Sequence, residues 1–299
     1  HNTSSVKYFS WLYTLATAPG FRVAGRHVVI TGGSSGLGLA IAKQYARAGA
    51  MVTILARNDA KLAAAKREIE SSLSSEQRHY PVFTYACNVT DYAAVCAAIE
   101  AANAFHARIT DHVICNAGIC YPGLVVDTTV DQFRETMETN FFGTLNLVKA
   151  TLPAMIASPL PANDPIKRRR VVLVSAEGGL ATVAGYSNYS SSKYAVRGFA
   201  EAMRSELQLY GIDVSIYYPG DMDSPLLADE QEFKPAVTKE LVVPSNPASP
   251  DEAARALIHG ISRGYFAFSN ELILQVLRAL SNGVAPRANT PLEFVVTPL

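Results

Sequence analysis

The sequence predicts an α/β protein with a doubly wound parallel sheet of about seven strands, and two observations carry that prediction. Short β-rich runs alternate with long helical patterns from residue 27 onward, and most of the short runs are apolar almost without interruption. Uninterrupted apolar runs are typical of parallel strands covered by helices on both faces. The predicted strands are His27–Thr31, Met51–Ala56, Val82–Cys87, His112–Cys115, Val171–Ser175, Val214–Tyr218 and Tyr265–Phe268.

Helical patterns fill the stretches between these strands. The predicted helices are Gly38–Ala48, Ala60–Ser71, Tyr92–Phe105, Val130–Ala157, Tyr189–Tyr210 and Asp251–Ser262. Repeated strand–helix–strand units form a Rossmann-type three-layer α/β/α sandwich, which binds ligands beyond the carboxyl ends of its strands. Because no internal repeat or second domain is visible, we expect a single domain over residues 1–299.

Several segments depart from the alternating pattern. Residues 158–170 end in the basic run 167–170, which predicts a solvated loop or a contact with anionic lipid headgroups. Pro225–Pro250 contains five prolines and no clear period, so we expect a structureless lid over the site. The apolar segment over about 270–299 includes Leu272, Leu274 and Leu277, which we expect to pack on the domain or face a bilayer with the lid. The aromatic stretch Tyr8–Ala16 leaves the same two possibilities open.

Composition excludes several classes of function. The 299 residues contain 26 basic and 26 acidic side chains, so nothing favours a nucleic acid as partner. The four cysteines lack the paired spacing of a zinc site and the density of a disulfide scaffold, and we expect reduced thiols that pack in the core. No metal site is predicted. Since no apolar run reaches about 20 residues, no membrane span is predicted either.

A glycine-rich turn follows the first predicted strand. Gly32, Gly36 and Gly38 would let the backbone approach a pyrophosphate, whose charge the next helix N-terminus would face. A bare glycine turn is the alternative, which the preceding strand and the following helix make weaker. The predicted cofactor-binding residues of this turn are Gly32, Ser34, Ser35, Gly36, Leu37 and Gly38.

Arg57 follows the second predicted strand, where a protein that uses NAD would place an acidic residue against the ribose 2′-hydroxyl. A guanidinium suits a 2′-phosphate, because it can form paired charged hydrogen bonds. The sequence therefore predicts NADPH as the cofactor. A surface arginine without a ligand is the alternative.

Tyr189 and Lys193 lie four residues apart in a predicted helix, so they share one face. There the ammonium could lower the pKa of the phenol and prepare it for proton transfer. Ser175 ends an apolar strand, from which its hydroxyl could stabilise charge growing on a substrate oxygen. Tyr186 is a rival for Tyr189, but the residue four positions after it is a serine.

Together, the turn, Asn116-Ala117-Gly118, Ser175 and the Tyr189/Lys193 pair resemble the short-chain dehydrogenase/reductase family over roughly residues 25–268. The resemblance implies that Tyr189 donates a proton, Ser175 stabilises the oxygen and Lys193 binds the nicotinamide ribose. It also implies that Asn140 holds a water linking Lys193 to solvent, although a structural hydrogen bond within the helix is the alternative. Further cofactor contacts implied by the resemblance are Asn88, Val89, Asn116, Ala117, Gly118, Pro219, Gly220, Met222 and Ser224.

Asp221-Met222-Asp223, Ala56-Arg57-Asn58 and the tail Asn282–Pro286 resemble the 3-ketodihydrosphingosine reductase group within that family. This similarity implies a long-chain sphingoid ketone as substrate, at the cytosolic face of the endoplasmic reticulum membrane. The family further implies a homodimer or a tetramer. The alternatives are a steroid or 3-ketoacyl-thioester reductase, or a noncatalytic NADP-binding scaffold.

Overall fold

A computed structural model describes residues 22–281 except 79, 162–163, 165–167 and 243–245. The predicted features at Tyr8–Ala16 and Asn282–Pro286 lie outside the described residues. Seven parallel strands form one sheet in the order β3-β2-β1-β4-β5-β6-β7, which confirms the predicted doubly wound α/β architecture. The strands are β1 (His27–Thr31), β2 (Met51–Ala56), β3 (Phe83–Ala86), β4 (His112–Cys115), β5 (Arg169–Val174), β6 (Ile212–Tyr218) and β7 (Ala267–Ser269).

Helices cover both faces of this sheet. They are α1 (Gly36–Arg47), α2 (Asp59–Ser71), α3 (Tyr92–Phe105), α4 (Val130–Met137), α5 (Gly143–Ala157), α6 (Ser187–Leu207), α7 (Pro225–Phe233), α8 (Ala236–Leu241), α9 (Pro250–Ser262) and α10 (Leu272–Leu280). The predicted helix Val130–Ala157 is divided into α4 and α5 by a π-helical turn, Glu138–Phe142. Successive β1 residues Val29 and Ile30 belong to the two different apolar cores, because side chains alternate across a strand.

Two residues of the basic run, Arg169 and Arg170, do not lie in the solvated loop that the sequence predicts. Arg169 and Arg170 are residues of β5, and Arg169 is buried with its Nε 3.5 Å from an Asp111 carboxylate oxygen. The guanidinium of Arg170 lies 2.8 Å from the Asp213 carboxylate. These arginines are therefore neutralised inside the fold, because acidic partners on neighbouring segments compensate their charge, and they are not available to lipid headgroups.

The described residues of the proline-rich lid form two helices, α7 and α8, and the start of α9, whereas the sequence predicts a structureless loop. Pro225 and Pro250 begin α7 and α9, and Pro235 is the residue that precedes α8. Proline is favoured at such positions, because its fixed φ suits a first turn that needs no amide donor. The two ends of the lid are joined, since the Ala248 amide donates to the Asp221 carbonyl over 2.9 Å.

Helix α10 divides the leucines of the predicted apolar segment between two environments. Leu274 is buried and Leu277 packs against the core, whereas Leu272 and Ile273 are exposed. The segment therefore both packs on the domain and presents apolar side chains to the outside. Within the part of the chain that the structure describes, no helix combines the length and the apolar character that a bilayer span requires.

Candidate active site

The glycine turn between β1 and α1 has the conformation that close approach of a ligand requires. Gly32 and Gly36 adopt positive φ angles of 65° and 50°. A side chain at Gly38 would collide with the carbonyl of Gly32. The side chain of Ser35, the N-cap residue of α1, does not bond the helix amides, which leaves them for an anion. The turn therefore fits a dinucleotide pyrophosphate.

Asn116 fixes this turn to the neighbouring strand. Its amide nitrogen Nδ2 donates to the carbonyl of Thr31 over 3.0 Å. The Thr31 hydroxyl in turn accepts from the backbone amides of Asn116 and Ala117 at 3.0 and 3.1 Å. Asn116 and Ala117 thus hold the glycine turn of the predicted cofactor site in place.

The residues predicted to bind the adenosine half lie at the ends of β2 and β3. Arg57 follows β2 and is exposed, and it forms no ion pair with the described residues. Its neighbour Asn58 caps α2 by accepting from the Lys61 amide over 2.9 Å. Asn88 is exposed and Val89 is buried, where the Val89 carbonyl accepts from Asn146. The guanidinium of Arg57 is thus free to meet a phosphate at this edge.

Ser175, Tyr189 and Lys193 meet at the carboxyl end of β5. The Ser175 hydroxyl donates to the Lys193 carbonyl over 3.3 Å, and the Lys193 Nζ donates to the Val174 carbonyl over 3.2 Å. That Nζ lies 5.5 Å from the centre of the Tyr189 ring. The three predicted catalytic side chains therefore share one site.

The electrostatics of this group differ from the sequence prediction. Burial, with smaller contributions from the charges of Cys120, Glu230 and Asp221, raises the pKa of Tyr189 well above its ordinary value. Burial also lowers the pKa of Lys193 to about 8. The net shift in the pKa of the phenol is therefore upward and opposite to the predicted depression, because burial is the dominant influence on Tyr189.

Asn140 lies buried in the π-helical turn, one of the irregularities that often mark functional sites. Its side-chain amide accepts from the Ile119 amide over 2.8 Å and donates to the Ile119 carbonyl and the Ser192 hydroxyl, each over 2.9 Å. A Cβ at Gly118 would stand 3.2 Å from the Asn140 Oδ1 and 3.5 Å from the Lys193 Nζ. Asn140 is thus next to Lys193, but its amide is engaged in holding the loop after β4.

The residues predicted after β6 line the entrance to the lid. Pro219 and Gly220 are buried, and the Glu271 carboxylate lies against Gly220. The Ser224 hydroxyl, predicted to contact the nicotinamide, accepts from the Leu227 amide over 3.3 Å as the N-cap of α7. Met222 pairs with Ala248 at the base of the lid.

Sequence reasoning missed a charged group that the lid brings to the site. The Tyr186 hydroxyl donates to the Glu230 Oε1, and the Lys234 Nζ lies 3.1 Å from the same oxygen. The ring centres of Tyr186 and Tyr189 are 6.4 Å apart. The four-residue spacing of Glu230 and Lys234 could have indicated an ion pair, had the lid been recognised as helical.

Comparison with known proteins agrees with this geometry. A family profile described as short chain dehydrogenase matches residues 26–235. The chain belongs to this family. It is therefore an oxidoreductase, and its cofactor is a nicotinamide dinucleotide.

Several curated relatives are similar over most of the chain. The 3-ketodihydrosphingosine reductase ksrA of Aspergillus fumigatus is 32% identical over 289 residues, covering 89% of this chain and 77% of the relative. The 3-dehydrosphinganine reductase of Danio rerio is 33% identical over 266 residues, with coverage of 89% and 77%. The 3-ketodihydrosphingosine reductase of Bos taurus is 34% identical over 263 residues, with coverage of 88% and 76%.

Solved structures agree on the fold. A short chain dehydrogenase/reductase from Burkholderia phymatum, in complex with NAD, superposes with a TM-score of 0.72 at 19% identity, covering 87% of this chain and 94% of that one. Levodione reductase gives a TM-score of 0.71 at 24% identity, with coverage of 83% and 95%. These matches support the seven-stranded architecture.

Proposed function

We propose that the protein catalyses the NADPH-dependent reduction of 3-ketodihydrosphingosine to dihydrosphingosine in sphingolipid biosynthesis. The observation that carries this proposal is the assembly of Ser175, Tyr189 and Lys193 at one strand end, in a chain whose relatives carry that activity in their names. Bound NADPH would supply the hydride that reduces the ketone carbon.

In this proposal each catalytic residue has a distinct role at the ketone oxygen. Tyr189 donates the phenolic proton, and its raised pKa supports the role because an acid must remain protonated at neutral pH. The Ser175 hydroxyl stabilises the charge that grows on the oxygen. Lys193 binds the nicotinamide ribose and passes protons to the phenol, with Asn140 holding the loop beside it.

The preference for NADPH over NADH is supported by the end of β2. The residue there is Arg57, which is exposed and has no ion-pair partner among the described residues, rather than an acidic side chain. An acidic residue at this position would accept from a ribose hydroxyl and would repel a phosphate. A free guanidinium favours the phosphate instead.

Exposed apolar residues support our further proposal that the protein acts at the cytosolic face of the endoplasmic reticulum membrane. Phe233 and Leu241 on the lid are 66% and 54% exposed, and Leu272 and Ile273 on α10 are 64% and 60% exposed. Side chains of this kind gain free energy when they enter a bilayer surface. A long-chain substrate could then reach the lid directly from lipid.

We also propose a homodimer, with a tetramer as the alternative, formed through the long helices α4–α6. Exposed Phe142 and Tyr194 on these elements support an interface there. Light scattering at micromolar concentration should give twice the mass of the chain, and a strictly monomeric solution would contradict the proposal.

Turnover of a panel of ketones tests the proposed reaction. Purified protein should oxidise NADPH with 3-ketodihydrosphingosine at least tenfold more efficiently than with a steroid ketone or a 3-ketoacyl thioester. A reversed preference would identify another reductase of the family. NADPH binding with no turnover of any ketone would identify a noncatalytic protein.

A further inference from the structure

We propose that Glu230 binds the protonated amine of the substrate and thereby makes the enzyme selective for amino ketones. This inference rests on the proposed function, because 3-ketodihydrosphingosine carries its amine on the carbon next to the ketone. A cation bound there must lie beside the group that protonates the ketone oxygen. The lid supplies a carboxylate on that side of Tyr189.

The first argument is the position of Glu230. Its Oε1 accepts from the hydroxyl of Tyr186, whose ring is 6.4 Å from the ring of the proton donor Tyr189. Burial is the main cause of the raised pKa of Tyr189, and the charge of Glu230 adds to it. Glu230 is therefore a carboxylate close enough to act on the reacting end of the site.

The second argument is that the carboxylate already holds an ammonium and remains partly accessible. Lys234 is buried, with 3% of its side chain exposed, and its Nζ lies 3.1 Å from the Glu230 Oε1. Tyr186 and Lys234 both contact the same carboxylate oxygen, Oε1. The side chain of Glu230 is 14% exposed, so the fold does not enclose the carboxylate completely and a ligand can reach it.

The third argument is energetic. A buried ion pair seldom stabilises a fold more than apolar side chains of the same size, because both ions lose their hydration. A lid that encloses an alkyl chain has no structural need for such a pair. The contact with Lys234 orients the Glu230 carboxylate, which makes Lys234 a positioning residue for an anionic subsite.

The decisive experiment compares two ketones and two variants. The substrates are 3-ketodihydrosphingosine and the hydroxyketone of the same chain length that lacks the amine. Glu230→Gln should lower kcat/KM for the amino ketone roughly 30-fold and change kcat/KM for the other ketone less than threefold, because only the charged contact is lost. Glu232→Gln is the matched control, since Glu232 is an exposed carboxylate of the same helix.

A second measurement needs no variant. Dihydrosphingosine should inhibit the wild-type enzyme at least tenfold more strongly than its N-acetylated form, which has no charge. Equal inhibition by the two, or an equal loss of both ketone activities in Glu230→Gln, would overturn the role of Glu230. A wild-type enzyme that reduces neither ketone would instead refute the proposed function.

Discussion

The cofactor floor and the lid wall of the active site are built in opposite ways. The cofactor floor consists of the glycine turn, the ends of β2 and β3, and residues 116–118, and it is held by backbone groups and neutral side chains such as Asn116 and Thr31. The lid wall consists of α7, α8 and residues 184–186, and its central contacts join the charged groups Glu230 and Lys234 to Tyr186.

The difference reflects what each side must recognise. The backbone amides of the glycine turn in this floor suit pyrophosphate, which helix N-termini bind without added cations. A wall with fixed charges suits discrimination among ketones, because a buried charge without its partner is costly. The cofactor floor and the lid wall should therefore respond differently to substitution, with cofactor binding lost at the floor and substrate selectivity lost at the lid wall.

Tyr189→Phe should have the largest effect. It removes the proton donor between the cofactor floor and the lid wall and keeps the aromatic ring. We therefore expect kcat to fall by about 10³-fold while NADPH affinity changes less than threefold. Tyr186→Phe, which removes only the hydroxyl that contacts Glu230, should lower kcat less than tenfold. Steady-state kinetics and NADPH fluorescence titration measure both. If Tyr186→Phe proves the more damaging change, the roles of the two tyrosines are exchanged.

Arg57→Ala should act on the cofactor floor alone. Loss of charged hydrogen bonds to the 2′-phosphate should weaken NADPH binding about 100-fold and leave NADH binding within twofold. Arg67→Ala, at an exposed position of α2, is the matched control. Calorimetric titration with both cofactors measures the effect, and equal weakening of NADPH and NADH would show that Arg57 is structural.

The sequence predicts the cofactor floor more completely than the lid wall, for a physical reason. The bounds of β1, β2 and β4 agree with prediction, because short apolar runs between a turn and a helix are local signals. The lid depends on tertiary contacts: the Thr238 hydroxyl donates to the Ala184 carbonyl over 2.9 Å, across a long stretch of chain. Three of its prolines, Pro225, Pro235 and Pro250, suggested a loop but begin or directly precede helices.

The buried arginines of β5 illustrate the same limit. A run of basic residues predicts a solvent-exposed segment, since isolated charges are rarely buried. Arg169 is nevertheless buried, because it donates to the carbonyls of Met155 and Ser158 and lies beside Asp111. None of these partners is adjacent to it in sequence, so no local pattern could have indicated the ion pair.

Lys193→Met should stabilise the cofactor-free fold while abolishing turnover. Burial lowers the pKa of Lys193 from 10.5 to about 8, so the charge costs folding free energy at every pH below about 8. That cost falls as the pH rises from about 8 towards 10.5, because the folded state releases its proton first. At pH 7 the variant should gain about 2 kcal/mol in the free energy of unfolding.

Urea denaturation at pH 7 and pH 10 measures this gain, which should shrink at the higher pH. Lys149→Met removes an exposed lysine of α5 and should change stability by less than about 0.5 kcal/mol at either pH. If Lys193→Met destabilises the protein at pH 7, the ammonium contributes to the fold through its bond to Val174 and is not held there at a cost.

The smallest expected effect concerns the exposed apolar residues of the lid and of α10. Phe233, Leu272 and Ile273 are exposed near the carboxyl end of the sheet, and replacing all three with Ser should weaken liposome association about tenfold. Leu274 must remain, because it is buried in the core and its loss would unfold α10 rather than test lipid contact.

Leu209→Ser is the control, since Leu209 is 83% exposed but precedes β6, at the amino ends of the strands. Liposome flotation measures the association, and an unchanged NADPH affinity would show that the triple variant is still folded. An equal loss of liposome association in the control would mean that any exposed apolar residue attracts lipid. The lid and α10 would then have no special role in receiving substrate from a membrane.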